Sequence, residues 1–180
     1  MTTATALSPP ATEPAWPDRL HTLLRGAGVT QASYVPDAGH ARLIELLRAD
    51  PAVTATVLTT EEEGVAIATG AWLGGERSVI LMQSSGVGNC INALSLPVIA
   101  RVPLLMLVTM RGEWAEFNPW QVPMGQATEA ALTAIGVRVF RADTPDELLA
   151  TVSAALVEAF DSDQQIAILI SQKMLGTKTW

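Results

Sequence analysis

Residues 59–92 read TTEEEGVAIATGAWLGGERSVILMQSSGVGNCIN, and the order of elements within them decides the fold. Glu61, Glu62 and Glu63 open a segment, GVAIATGAWLGG, whose small apolar residues suit a helix packed closely against other structure. No polar side chain stands between Glu63 and Thr69. The helix therefore has little wet face to offer, and at least one carboxyl group at its start is expected to be buried or half-buried. SVILM then reads as a short buried strand over residues 79–82, followed by a Ser/Gly turn and a helix beginning near Gly88. A strand, a glycine turn and a helix make a ligand-binding edge: Gly86 and Gly88 let the backbone approach a ligand, and the free N–H groups of the new helix favour polar or anionic groups.

Working outward, the chain alternates. Helical patterns at residues 16–26, 40–49, 62–73, 89–100, 129–135 and 145–160 are interleaved with apolar, β-branched runs at 32–35, 53–58, 78–82, 104–109, 137–141 and 166–170. Six strands joined by helices predict a three-layer α/β fold, a doubly wound parallel sheet of about six strands, because parallel neighbours need crossovers and apolar strands need cover on both faces. The expected divisions are a flexible tail at 1–15, one domain at 16–171 and a C-terminal tail at 172–180. Ligands in such sheets sit outside the carboxyl ends of the strands, where residues 36–40, 59–63, 83–89 and 110–126 fall.

Composition narrows the function. The chain has 180 residues, 49% of them hydrophobic, and a formal net charge of −7. There is no basic run, which argues against nucleic acid or an anionic membrane as partner. One cysteine, Cys90, and two histidines, His21 and His40, exclude an internal disulfide and a His- or Cys-rich metal cage, and suggest a reducing, cytoplasmic setting. The opening residues have neither the basic nor the apolar region of a signal peptide, and the longest apolar run, 102–110, contains Pro103 and is too short to span a bilayer.

Side chains at the ligand edge suggest contacts. His40, in PDAGH, is either a substrate contact or a cap or surface residue. Arg111, just past the fourth apolar strand to carry a following loop, either pairs with an anionic substrate group or closes a local pair with Glu113 or Glu116. Gln83, Ser84 and Ser85 offer hydrogen bonds to substrate, while Asn89 is expected to cap the helix after it. Trp114, Phe117 and Trp120 suggest a lid or a contact surface.

Glu62-Glu63-Gly64, Ala68 and Gly70-Ala71-Trp72 resemble the E-x-G/A…A-x-G-Y/W helix of the pyrimidine-binding domain of thiamine diphosphate enzymes. Within that superfamily EEEGVAIATGAWLGG, LMQSSGVGNCINAL, VPLLMLVTMRGE and QVPMG are most similar to the sulfopyruvate decarboxylase alpha subunits and the phosphonopyruvate decarboxylases, over roughly residues 27–160. The resemblance implies that one glutamate of the helix hydrogen-bonds N1′ of the cofactor's aminopyrimidine and so promotes loss of the thiazolium C2 proton. The Glu-x-Gly register and the position of Trp72 select Glu62, with Gly86 and Pro36 as further cofactor contacts.

The same resemblance implies that diphosphate and Mg²⁺ are held by a Gly-Asp-Gly…Asn-Asn element, and the sequence contains no Asp-Gly pair. A separate diphosphate-binding beta subunit is therefore expected, in an α2β2 or larger assembly, with the metal ligands on that partner. The implied activity is decarboxylation of sulfopyruvate, phosphonopyruvate or a similar 2-oxo acid to an aldehyde and CO₂. A carboligase subunit of the acetolactate-synthase type and a non-catalytic regulatory domain of the same fold are the alternatives.

Overall fold

A computed structural model describes residues 15–176; the expected N-terminal tail lies almost wholly outside them, as do residues 177–180. Helix α1 (Trp16–Gly26) leads into β1 (Val29–Tyr34). After a 3₁₀ turn at Ala38–His40 come α2 (Ala41–Ala49), β2 (Thr54–Val57), α3 (Glu61–Leu73) and β3 (Arg77–Gln83). Then follow α4 (Ser84–Cys90), α5 (Ser95–Ala100), β4 (Leu104–Thr109), α6 (Val122–Ala134), β5 (Arg138–Ala142), α7 (Pro145–Ser162), β6 (Gln165–Ile170) and α8 (Gln172–Leu175). The six strands form one sheet in the order β2-β1-β3-β4-β6-β5, and every pairing is parallel. The doubly wound sheet expected from the sequence is present.

Strand residues alternate between two cores, as a period of two requires. Val79, Leu81, Leu105 and Leu107 pack with α1, α2 and α7, whereas Ile80, Met82, Leu104 and Met106 pack with α3, α4 and α6. The two helical layers differ in chemistry. Helices α1, α2 and α7 carry charged residues along their length, whereas α3 to α6 carry only the three glutamates that open α3, and Glu129. Ala66 and Gly70 on α3, Ile99 on α5, and Ala127, Ala130 and Ala134 on α6 all face outward. The idea that α3 lacks a solvent face is thus corrected: it has one, apolar beyond Glu62 and Glu63, with Leu73 78% exposed. No described helix is long and apolar enough to cross a membrane.

Three local expectations change. The Ser/Gly segment is not a turn, because α4 starts at Ser84 directly from the strand, and a second short helix follows at Ser95. Residues 110–126, expected outside the helices at the ligand edge, contain the 3₁₀ turn Pro119–Gln121 and the first turns of α6, whose Pro123 and Gly125 disguise a helix start. Residues 172–175, assigned to a tail, form α8, with Gln172 buried.

Candidate active site

The carboxyl ends of β1, β2, β3 and β4 bring the loops at 35–40, 58–61, 83–86 and 110–121 to one edge of the sheet. At the start of α3 the three glutamates are turned to three environments, since adjacent helix positions point ~100° apart. Glu61 is 8% exposed and faces α4, where Asn89 Nδ2 donates to its Oε2 at 2.8 Å. Its Oε1 accepts no hydrogen bond from the described chain. Gly86 lies directly against this carboxyl group, and a Cβ at position 86 would overlap Glu61 Cδ and Oε1. Glu63 turns back to accept a hydrogen bond from the Thr59 N–H at 2.9 Å, satisfying one free donor before the helix. Glu62 is exposed, and its side chain makes no hydrogen bond among the described residues.

The dry acid expected at this helix start is therefore Glu61, one residue before the expected Glu62. The register mark Trp72 packs toward the opposite layer, stacking on Phe160 with ring centroids 6.2 Å apart. Beneath Glu61, burial and the charges of Glu61 and Glu62 push the Cys90 thiol up to about 12, so it stays neutral and unreactive at physiological pH. Asn89 lies within α4 rather than capping a following helix, and its amide orients Glu61 instead.

The other expected contacts divide. Gln83 and Ser85 stay at the edge, Ser85 Oγ donating to Gln83 Oε1 at 2.8 Å and Gln83 Nε2 to Asp37 Oδ1 at 3.2 Å. Ser84 is fully buried and braces two strand ends, its Oγ accepting the Arg111 N–H at 3.1 Å. Its hydroxyl is thus engaged with the backbone of the neighbouring strand end. His40 is also fully buried, with Nε2 against the Leu107 carbonyl at 3.0 Å, an arrangement in which the Nε2–H donates. Burial pushes its imidazole below the usual histidine range, the nearby Asp37 charge opposing this in part. It sits in the core beneath the edge, its Nε2 engaged by the strand. Pro36 is exposed on the loop that carries Asp37.

Arg111 closes the local pair with Glu116. Its Nε and Nη2 donate to the two oxygens of Glu116 at 2.6 and 2.5 Å, and its guanidinium lies 5.5 Å from the Phe117 ring centre. The Gly112 and Asn118 N–H groups and Gln172 Nε2 also donate to Glu116. This set of donors, with Arg111 foremost, lowers the Glu116 carboxyl to about 2. A residue the sequence reading passed over, Gln172, completes the lock: its Oε1 accepts the Glu113 and Trp114 N–H groups, each at 3.1 Å. The loop bearing Trp114, Phe117 and Trp120 is thus fixed from within, with Trp120 83% exposed.

An acid with one oxygen held and the other open, beside a glycine that admits close approach, suits a ring nitrogen that shares a proton. Nothing comparable exists for a metal, since no cluster of three or more His, Cys, Asp or Glu capable of holding one occurs among the described residues. The residues present fit the aminopyrimidine end of thiamine diphosphate.

No family model matches the chain. It is 35% identical over 145 residues to the sulfopyruvate decarboxylase subunit alpha of Methanococcus maripaludis, covering 80% of this chain and 87% of that one. It is 34% identical over 148 residues to the subunit of the same name from Methanothermobacter thermautotrophicus, covering 82% and 90%. Against the phosphonopyruvate decarboxylase of Streptomyces viridochromogenes the identity is 34% over 156 residues, 85% of this chain and 39% of that one. Among solved structures, the 2-oxoglutarate:ferredoxin oxidoreductase of Magnetococcus marinus superposes with a TM-score of 0.73 at 14% identity, over 89% of this chain and 29% of that one. The benzoylformate decarboxylase of Polynucleobacter necessarius gives 0.69 at 17%, over 89% and 30%. The chain spans less than a third of each, and at these identities the likeness is one of fold. The sequence relatives go further: at this identity and coverage, the chain belongs to the sulfopyruvate decarboxylase alpha-subunit family.

Proposed function

We propose that the chain is the pyrimidine-binding half of a thiamine diphosphate-dependent decarboxylase that converts sulfopyruvate, or a closely similar 2-oxo acid, to an aldehyde and CO₂. The observation that carries the reading is Glu61: a carboxyl group almost closed off from water, oriented by Asn89 and pressed against Gly86, with one oxygen open at the ligand edge. When bound, thiamine diphosphate supplies the thiazolium that adds to the 2-oxo carbon and accepts the electrons released with CO₂. Glu61 shares a proton with N1′ of the aminopyrimidine, a role suited to a positioned carboxyl group in a site of low dielectric. Asn89 Nδ2 holds Oε2, so that Oε1 is the oxygen presented. The absence of a side chain at Gly86 lets the ring approach the acid. Gln83 and Ser85, linked to each other, line the substrate side.

No cluster of His, Cys, Asp or Glu able to hold a metal occurs among the described residues, and the sequence has no Asp-Gly pair, so diphosphate and Mg²⁺ are assigned to a separate diphosphate-binding subunit. That subunit docks on the α3–α6 layer. The layer's outward residues are mostly small or apolar, with charge only at Glu62, Glu63 and Glu129, and Glu61 opens at its rim, which makes the docking surface continuous with the cofactor crevice.

The test is deuterium exchange at C2 of thiamine diphosphate in the reconstituted, Mg²⁺-loaded complex. Glu61→Gln should slow exchange by roughly 10²–10⁴-fold, the range of a positioned acid–base group, and Glu62→Gln should have a much smaller effect. Slow exchange in Glu62→Gln with a normal rate in Glu61→Gln would restore the register first read from the sequence. Normal exchange in both would remove the thiamine reading itself.

A further inference from the structure

The strand order leaves a gap where the covering helices part. Strand β1 is followed by α2 on one face of the sheet, and its neighbour β3 by α4 on the other. Ligands of open α/β sheets lodge where neighbouring connections diverge in this way. A hydrogen bond spans the gap from Gln83 Nε2 to Asp37 Oδ1 at 3.2 Å, and Thr109 Oγ1, at the end of β4, donates to Asp37 Oδ2 at 2.6 Å. Asp37 borders a cavity of about 170 Å³ that Gly39, Arg111 and Gln172 also line. Gly39 is needed for this approach, since a Cβ there would stand 2.7 Å from Thr109 Cγ2 and 3.0 Å from Asp37 Oδ2.

The charge balance of the cavity is uneven. Both oxygens of Asp37 are fixed by neutral donors, and no arginine or lysine among the described residues forms an ion pair with it. The one guanidinium on the cavity wall, that of Arg111, is committed to Glu116. His40, three positions on, is fully buried with its Nε2 on the Leu107 carbonyl, and burial pushes its imidazole below the usual range. A carboxylate without a counter-ion thus borders the crevice into which an anionic 2-oxo acid must come.

We propose that Asp37 is a substrate-positioning residue that works by repulsion. It turns the anionic groups of the 2-oxo acid away from the cavity, toward the side closed by the partner, and leaves the cavity to the carbonyl-bearing, uncharged part. This rests on the decarboxylase reading above. Asp37→Asn keeps shape and hydrogen bonding, because the Thr109 hydroxyl and the Gln83 amide can each reverse to suit an amide. Removing the repulsion admits additional, non-productive poses, so KM and kcat should fall together, each by about tenfold, with the melting temperature unchanged.

The experiment uses the reconstituted complex with sulfopyruvate, phosphonopyruvate and 2-oxobutanoate as probes. Turnover is measured with thiamine diphosphate present, and equilibrium binding of the same acids is measured without it. Tighter binding in Asp37→Asn and Asp37→Ala, about tenfold for the two acids with a sulfonate or phosphonate tail and less for 2-oxobutanoate, supports the proposal. Weaker or unchanged binding in an active complex overturns it while leaving the decarboxylase reading intact. A wild-type complex inert toward all three acids overturns that reading, and this proposal with it.

Discussion

Glu61, Glu62 and Glu63 occupy one helical turn, yet one faces the crevice, one faces outward and one ties back to Thr59. The sequence revealed that a carboxyl group must be dry here, because the residues after it are small and apolar. It could not reveal which, since three identical neighbours differ only in phase, and a helix that starts at Glu61 instead of Glu62 rotates the choice by ~100°. His40 shows the opposite limit. A histidine beside a Gly-containing turn has no local mark of burial, and only the partner Leu107 carbonyl, 67 residues away, makes it a core residue. Its depressed titration has a testable consequence. Unfolded, the imidazole takes up a proton below about pH 6.5, whereas in the fold it resists doing so, and stability should therefore decline as pH falls from 6.5 toward the lowered folded value. Urea unfolding between pH 7.5 and 5.5 should show this slope in the wild type and a shallower one in His40→Asn.

The loop between β4 and α6 is the element where sequence and structure differ most. Its Trp, Pro and Gly content reads as irregular, and much of it is, but its conformation is set by contacts distant in sequence. Gln172 supplies hydrogen bonds from beyond β6, and Gly125 of α6 lies so close to the Arg111 carbonyl that no Cβ fits. Glu116 is the centre of the arrangement, with its side chain 3% exposed and that of Arg111 10%. Glu116→Gln leaves the Arg111 guanidinium buried without its counter-charge and should cost roughly 3–5 kcal/mol at neutral pH. Because the folded carboxyl is depressed to about 2 from an ordinary 4.5, its contribution is present above about pH 4.5 and is lost as pH falls toward 2. Chemical denaturation of both forms should therefore show curves that converge in acid. A constant difference down to pH 2 would contradict the assignment.

At the scale of the molecule, alternating apolar strands and helices made the parallel sheet and its six strands readable, since period and order are local properties. The dissimilar helical layers are readable only once topology assigns α3, α4 and α6 to the same face. Ile99, 83% exposed on that face, allows the proposed docking role to be separated from folding. Ile99→Glu should leave the melting temperature of the isolated chain within about 0.5 kcal/mol-equivalent of wild type, as for exposed substitutions, yet weaken assembly with the diphosphate-binding subunit in analytical ultracentrifugation. Unimpaired assembly would move the docking surface elsewhere. The strand order has a consequence for biosynthesis as well. Strand β6, the last of the described strands to be made, lies between β4 and β5 and is buried at every position. Until it is synthesised, LLMLVT of β4 has one open edge, and β5 has no partner. At 5–20 residues per second, the stretch from the end of β4 to the start of β6 takes roughly 3–11 s to translate, an interval in which a nascent apolar edge is free to pair with other chains. The sheet is completed only once Gln165–Ile170 has been synthesised, so the nascent protein should depend on chaperones that shield β4, and ribosomes stalled before Gln165 should release chains that aggregate.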